Sequence, residues 1–346
     1  MNGFPQRPTL ADVARAAGVS TVTVSRVVEG SDKVAAKTVA RVHDAMEQIG
    51  YFGNAAATQL VSGRASSIGI VTSNSSDYGY ASTIQGIESA ARDADMAVLI
   101  SVIEGADPAS VRKAVATVAS HGLGGVIVMD FDEGAHVVLP AIPAYIPVVS
   151  ATSPAEGSGV ARPYVFMDEY VGGKLAATHL IEQGHRSIFV LAPPDTRPAE
   201  RRSLGIFDAL TEARLPYYPV ARAADWQPAS GYAGANELLD SFGDRVTAIA
   251  CANDQVALGA VRAILDRGLR VPDDISIIGF DDHPLAAFAV PQLTTIAQDF
   301  EALGRLSFAH LHSLMEGRDL PAVRDVQPQL VVRSSTSHPH PTRGFG

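Results

Sequence analysis

Residues 9–30 read TLADVARAAGVSTVTVSRVVEG, and the punctuation inside this stretch decides how the chain begins. Thr9 followed three residues later by Asp12 is a capping-box-like start, in which hydroxyl and carboxylate satisfy amides that a first helical turn leaves unpaired. Leu10, Val13, Ala14 and Ala17 then recur at helical spacing and give one apolar face. Gly18 suits a left-handed helix end, and Ser20 suits the N-cap of a new helix. The second helix buries Val24, Val27 and Val28 and turns Thr21, Val22, Ser25 and Arg26 outward. Two short helices across a turn containing Gly form a helix-turn-helix. A third amphipathic helix, carrying Val39, Val42, Met46 and Ile49, completes a small core. Helix pairs of this kind also occur in ordinary helical domains, so residues 51–346 must decide between the two readings.

Residues 51–66 form a junction. Asn54 can cap a short helix through Gln59 or Leu60, but a helix of about eight residues is marginal alone in water. From Ser67 the pattern alternates. SIGIVTS (67–73), MAVLISVI (96–103), GVIVMD (125–130) and PVVSA (147–151) are short β-rich runs with helical stretches between them. A second series comes next in YVFMD, SIFVLAP, TAIACAND and ISIIGFDD. This alternation predicts parallel sheets in an α/β fold, and two series predict two similar lobes with a cleft between them.

The bulk composition agrees. A chain of 346 residues favours two or three units, and 47% apolar against 18% charged residues supplies substantial cores. The net charge of −10 hides an asymmetry. Residues 1–64 carry seven Lys and Arg against five Asp and Glu, a surplus of two positive charges that leaves −12 for the rest. A mildly basic head on an acidic body suits a DNA-reading module joined to something that does not touch DNA. The single cysteine, Cys251, excludes an internal disulfide and sits in the apolar run AIACAND, as a buried small hydrophobe would. The N-terminus lacks the apolar core of a signal peptide and no window reaches a membrane span, so a soluble cytoplasmic protein is expected. The Pro/Gly-rich end, 337–346, reads as a disordered tail.

No enzyme constellation is present: the sequence has no GxSxG elbow, Walker A loop, HExxH or paired CxxC. No cofactor or metal is expected. His310 and His312 lie two apart in a predicted helix and read as surface residues rather than a metal pair, and His338 and His340 fall in the tail. Polar residues at strand ends carry more, because open α/β sheets bind ligands at the carboxyl ends of their strands. Asn253 and Asp281 both occupy such ends and could each engage two hydroxyls on adjacent carbons, as a sugar presents them; either could instead be only a helix cap. Trp226 lies in the polar loop ADWQPASG, a setting that favours a stacking platform for a pyranose over a core position.

The stretch VSTVTVSRVVEGS resembles the DNA-binding domain of the LacI/GalR family of transcriptional repressors, and the resemblance runs through YFGNAAATQL nearly to the C-terminus. It implies an N-terminal all-α helix-turn-helix domain (1–50), a hinge helix (51–66) and a periplasmic-binding-protein-like body (67–336). That body has two doubly wound parallel-sheet subdomains, about 67–165 with 299–325 and 166–296 with 328–336. Crossover strands are expected near 164–168, 294–299 and 325–330. By the family's pattern Thr21, Val22 and Arg26 read base edges, while Ser20, Thr23 and Ser25 serve phosphates. Asn54, Ala57 and Leu60 match the hinge that pairs with its twofold mate in the minor groove. Gly53 stands where the family usually has proline, and Glu29 where it usually has asparagine.

In the body ADWQPASG, ANDQVALGAVRAI and PQLTTIAQDF look like the sensor of galactoside-binding members. Carried over by position, Arg202, Trp226, Asn253, Asp281, Gln298 and Phe300 line the effector pocket. Thr152 stands where those members have an aspartate, and Asp77-Tyr78-Gly79-Tyr80 makes the aglycone end more polar. The resemblance thus implies a homodimeric repressor of sugar-utilisation genes that binds double-stranded operator DNA and is released by a galactoside or related sugar. The alternatives are a corepressor-type member sensing a purine or phosphosugar and, from another class, a sugar-binding transport protein.

Overall fold

The computed structural model describes residues 8–28, 31–51, 65–129, 131, 137–152, 162–192 and 197–340. The readings at Glu29, Gly53, Asn54, Ala57 and Leu60 fall outside these residues. The chain divides into two compact units, Met1–Ser66 and Ser67–Gly346.

In the first unit α1 spans Leu10–Ala17, α2 Thr21–Val28 and α3 Ala36–Ile49. The capping box forms as read: the Thr9 amide donates to Asp12 Oδ2 at 2.9 Å and the Asp12 amide to Thr9 Oγ1 at 3.4 Å. Gly18 ends α1 at φ 61°, a conformation that costs glycine nothing. The core is Val13, Ala14 and Ala17 from α1, Val24 and Val27 from α2, and Val42 and Ala45 from α3, with Val39, Met46 and Ile49 packed against it.

The second unit opens with β1 (Ser67–Thr72), α4 (Tyr78–Asp93), β2 (Ala97–Val102), α5 (Pro108–Ser120), β3 (Val126–Val128) and β4 (Val148–Ser150). These strands form a parallel sheet in the order β2-β1-β3-β4. Next come β5 (Phe166–Met167), α6 (Glu169–Glu182), β6 (Ile188–Ala192), α7 (Arg197–Glu212), β7 (Ala221–Arg222), α8 (Pro228–Phe242), β8 (Ala248–Cys251), α9 (Asp254–Asp266) and β9 (Ser276–Ile278). Their sheet is again parallel, ordered β7-β6-β8-β9. Interior strands such as β3, β6 and β8 are buried along their whole length, because elements pack on both faces of each sheet. Among the described residues each lobe holds two apolar clusters, and Cys251 lies in one of them.

Then β10 (Thr295–Ala297), α10 (Phe300–Met315), β11 (Asp325–Val326) and β12 (Gln329–Val331) complete the body. β5 pairs in parallel with β11 and β10 antiparallel with β12, at the segments read as crossovers. Single bridges join them to the lobes, Ser150 to Tyr164 and Ile278 to Thr294.

Glycines let paired helices touch backbone to backbone. A Cβ on Gly173 of α6 would lie 2.0 Å from the Arg202 carbonyl, and one on Gly205 of α7 2.0 Å from that of Tyr170. Gly86 and Gly304 do the same for α4 and α10.

The structure corrects two expectations. His310 is not a surface residue: it is 2% exposed, and its Nε2 bonds the Val323 carbonyl at 2.9 Å. Helix α10 is packed by α4, β3, β4 and β11, so little of its circumference is left for water. His312 is half-buried and stacks on Phe308. At the other end the order reaches into 337–346, read from sequence as a tail. The Ser337 amide donates to Ser276 Oγ at 3.0 Å, and the Ser337 carbonyl lies 2.9 Å from His185 Nε2.

Candidate functional site

Helix α2 presents Thr21, Val22 and Arg26 to solvent, and Val22 keeps 60% of its surface exposed. Ser20 and Thr23 are already engaged: Ser20 Oγ accepts the Thr23 amide at 3.1 Å and lies 2.9 Å from the Thr23 hydroxyl. Ser20 therefore caps α2, as its position predicts. Ser25 is half-buried.

In the body, a cleft opens at the carboxyl ends of the strands, where polar groups from α6, α7, α9 and the loop after β9 meet. Arg202 on α7 is its centre, 5% exposed. Its Nε donates to Glu169 Oε2 at 2.9 Å, Nη2 lies 2.8 Å from the same oxygen, and Nη1 donates to the Ala252 carbonyl. The guanidinium sits 3.5 Å from the Phe280 ring centroid, a cation–π contact in a dry setting. Gln298 donates from Nε2 to the other oxygen of Glu169 at 2.9 Å.

Asp281 faces this group. Its backbone has φ 96°, and Asp282 follows at 50°. Side chains rarely adopt such angles, at a cost of about 1–3 kcal/mol each, so surrounding bonds must hold them. They do: the Asp281 amide donates to the Ile296 carbonyl at 2.7 Å, the His283 amide to Asp254 Oδ2 at 2.7 Å, and Arg333 Nη2 to Asp282 Oδ1 at 2.6 Å. The Asp281 side chain keeps 17% exposure, and its Oδ1 has no hydrogen-bond partner among the described residues, with Arg202 Nη2 at 3.8 Å. Burial pushes its pKa up to about 6, against the pull of Arg202, with Glu169 adding to the rise. Asp254 is 1% exposed and is also held well above the usual carboxylate range, chiefly by burial.

Asn253 serves two purposes. Its Oδ1 caps α9 by accepting the Val256 amide at 2.8 Å, and its Nδ2 reaches the Trp226 carbonyl at 3.4 Å on the cleft wall. Trp226 is half-buried on that wall and Phe300 closes the opposite side. Gln298 stands behind, on a second hollow that shares Asp281 and Phe300 with the first.

At the outer end aromatic rings meet: Tyr80 packs on Phe131 at 5.0 Å and Tyr78 edge-on against Phe300 at 5.7 Å. Asp77 also lines this end, its Oδ2 accepting from Asn74 Nδ2 at 2.8 Å. Thr152 is half-buried with its carbonyl on Ser150 Oγ, and it does not line the cleft. Sequence reasoning missed Glu169, Asp254 and His283 as cleft residues. The one available signal for Glu169 was its place in VFMDEY, just past a strand end.

A helix-turn-helix head and a two-lobed α/β body with a polar cleft are the parts of a ligand-responsive DNA-binding regulator. Comparison with known proteins gives the same class. Residues 9–54 match the model of bacterial regulatory proteins of the lacI family, and residues 177–336 that of a periplasmic binding protein-like domain. The chain is 34% identical over 340 residues to the lactose operon repressor of Escherichia coli (strain K12), covering 96% of this chain and 91% of the relative. It is 32% identical to the HTH-type transcriptional repressor PurR of Mannheimia succiniciproducens, covering 94% and 98% of the two chains. Among solved structures it is similar to the lac repressor dimer bound to operator and the anti-inducer ONPF, with a TM-score of 0.84, 32% identity and coverage of 96% and 100%. The chain belongs to the LacI family of transcriptional repressors. Among the described residues no helix is long and apolar enough to cross a membrane.

Proposed function

We propose that the chain is a cytoplasmic homodimeric repressor of sugar-utilisation genes, released from a pseudo-palindromic operator by a galactoside or related neutral sugar held in the cleft. The observation that carries this reading is the cleft's composition. Asp281, Asn253 and Arg202 gather at its polar end, and Trp226 supplies a flat apolar wall. Vicinal hydroxyls pair with such carboxylates and amides, and the apolar face of a pyranose pairs with an indole. The aromatic outer end suits a second ring, as in a disaccharide or an aryl glycoside.

On the DNA side, Arg26 would form a bidentate pair with guanine, and Val22 with the Thr21 methyl would meet thymine methyls. Ser20, Thr23 and Ser25 would lie toward phosphates. Asn54, Ala57 and Leu60 would form the hinge, with Leu60 as the apolar wedge between base steps. Sugar would act by binding one arrangement of the lobes better than the other. A shift from 1:99 to 99:1 needs about a 10⁴-fold difference in affinity between the two. The protein acts as a regulator and not as an enzyme.

A thermal-shift panel on the full chain tests the reading. Galactose, lactose and β-galactosides should raise the melting temperature, while purines and phosphosugars leave it unchanged. Stabilisation by a purine or a phosphosugar instead would favour the corepressor reading.

A further inference from the structure

We infer that Glu169 is the residue that restricts this cleft to uncharged, hydroxyl-donating ligands and turns away anionic ones. The inference rests on the sugar-binding reading above. A buried arginine at the end of a cleft is ordinarily the group that receives a phosphate or a carboxylate. Here Arg202 has already been matched. Two of its N–H groups converge on Glu169 Oε2, Nη1 is bound to the Ala252 carbonyl, and the remaining face looks toward Asp281 at 3.8 Å. Among the described residues lining the cleft, the other basic group is His283, whose pKa is lowered by burial. An anion entering the polar end thus meets Glu169 and Asp281 with no cation left to neutralise it, and like-charge contacts of this kind discriminate strongly.

A neutral polyol meets the opposite situation. The Asp281 side chain lines the cleft with 17% of its surface exposed. Glu169 Oε1 has one donor, Gln298, and a carboxylate oxygen can accept a second. Both acids flank the same guanidinium and line the cleft, so hydroxyl donors are matched there and acceptor-only anions are not. Glu169 is 7% exposed and fixed from two sides, so it cannot swing away to admit an anion. It contacts ligand directly and also sets the charge of Arg202 as seen from the cleft.

The substitution Glu169→Gln tests this with little disturbance. The new carbonyl still accepts from Arg202. The new amide would face Gln298, whose Oε1 has no partner and can rotate in to accept it. Binding of lactose and galactose should be measured beside that of galactose 6-phosphate and galacturonate, on the full chain, by melting shift and Trp226 fluorescence. The wild type should prefer the neutral sugars by about tenfold or more. In Glu169→Gln, Arg202 becomes an unmatched cation and that preference should shrink by about tenfold. Equal binding of neutral and anionic sugars by the wild type overturns the inference and needs no variant. A variant that keeps the wild-type ratio overturns it too. Failure of every sugar to bind the wild type defeats the sugar reading itself, and this inference with it.

Discussion

Tyr78, at the start of α4 in the first lobe, packs its ring against His283, in the loop after β9 of the second, with centroids 4.7 Å apart. The contact bridges the mouth of the cleft. Tyr78 also meets Phe300 edge-on, and burial together with Asp281 and Asp282 holds its hydroxyl pKa above the usual value. Tyr78 and His283 therefore face each other beside Asp281 and Asp282.

This contact should help hold the lobes together around a ligand. Aromatic pairs contribute about 0.5–1.5 kcal/mol beyond buried area, so Tyr78→Ala should weaken sugar binding by roughly twofold to tenfold. Titration followed by Trp226 fluorescence reads the effect. An unchanged dissociation constant would show that Tyr78 does not contribute to the bound state.

The pH dependence of Asp281 gives two slopes of opposite sign. Its folded pKa, about 6, lies above the ordinary value of 3.8, so the folded state favours the proton. The stability contributed by that proton is present in full below about pH 4 and is lost as pH rises through about 6. Sugar hydroxyls donate to the ionised form, so ligand binding should strengthen over the same interval. Asp281→Asn should flatten both trends. Melting curves at several pH values, with and without lactose, supply the comparison.

Close helix packing places Arg202, so disturbing the packing should reach the cleft. Gly173→Ala puts a methyl group 2.0 Å from the Arg202 carbonyl, which forces α6 and α7 apart. Overpacking of this kind costs about 1–3 kcal/mol. The body should melt several degrees lower and bind sugar more weakly. A variant that binds sugar as tightly as the wild type would mean that the Arg202 position tolerates the shift.

Much of this architecture was legible because periodicity survives where burial is one-sided or complete. The head's valines at 24 and 27 face its core as the spacing requires, and the apolar runs at 67–73 and 187–193 hold β1 and β6. Asn253 and Asp281 were found because they end strands. β7 was not found, since Ala221–Arg222 is two residues long and carries no apolar run. Glu169 was hidden for a different reason. An acid at the first position of a helix already has a local explanation in the helix dipole, and its pairing with Arg202 joins residues 33 apart in sequence. His310 misled because α10 is enclosed on most sides, where polar spacing no longer marks the surface.

On the DNA side, Arg26→Ala should cost about 1–3 kcal/mol in operator binding and relax preference at one base pair of each half-site. Anisotropy titrations against operator and random duplex separate the possibilities. An equal loss on both would make Arg26 a phosphate contact and not a base reader.

The central claim is that sugar in the cleft controls the grip on DNA, and an operator-release titration tests it most directly. Labelled operator is saturated with the full chain and lactose or a β-galactoside is added, with wild type and Asp281→Ala in parallel. The account predicts that sugar releases operator from the wild type, while Asp281→Ala binds operator normally and stays bound at the same sugar concentration. Operator binding that is indifferent to every neutral sugar, or strengthened by one, would contradict it.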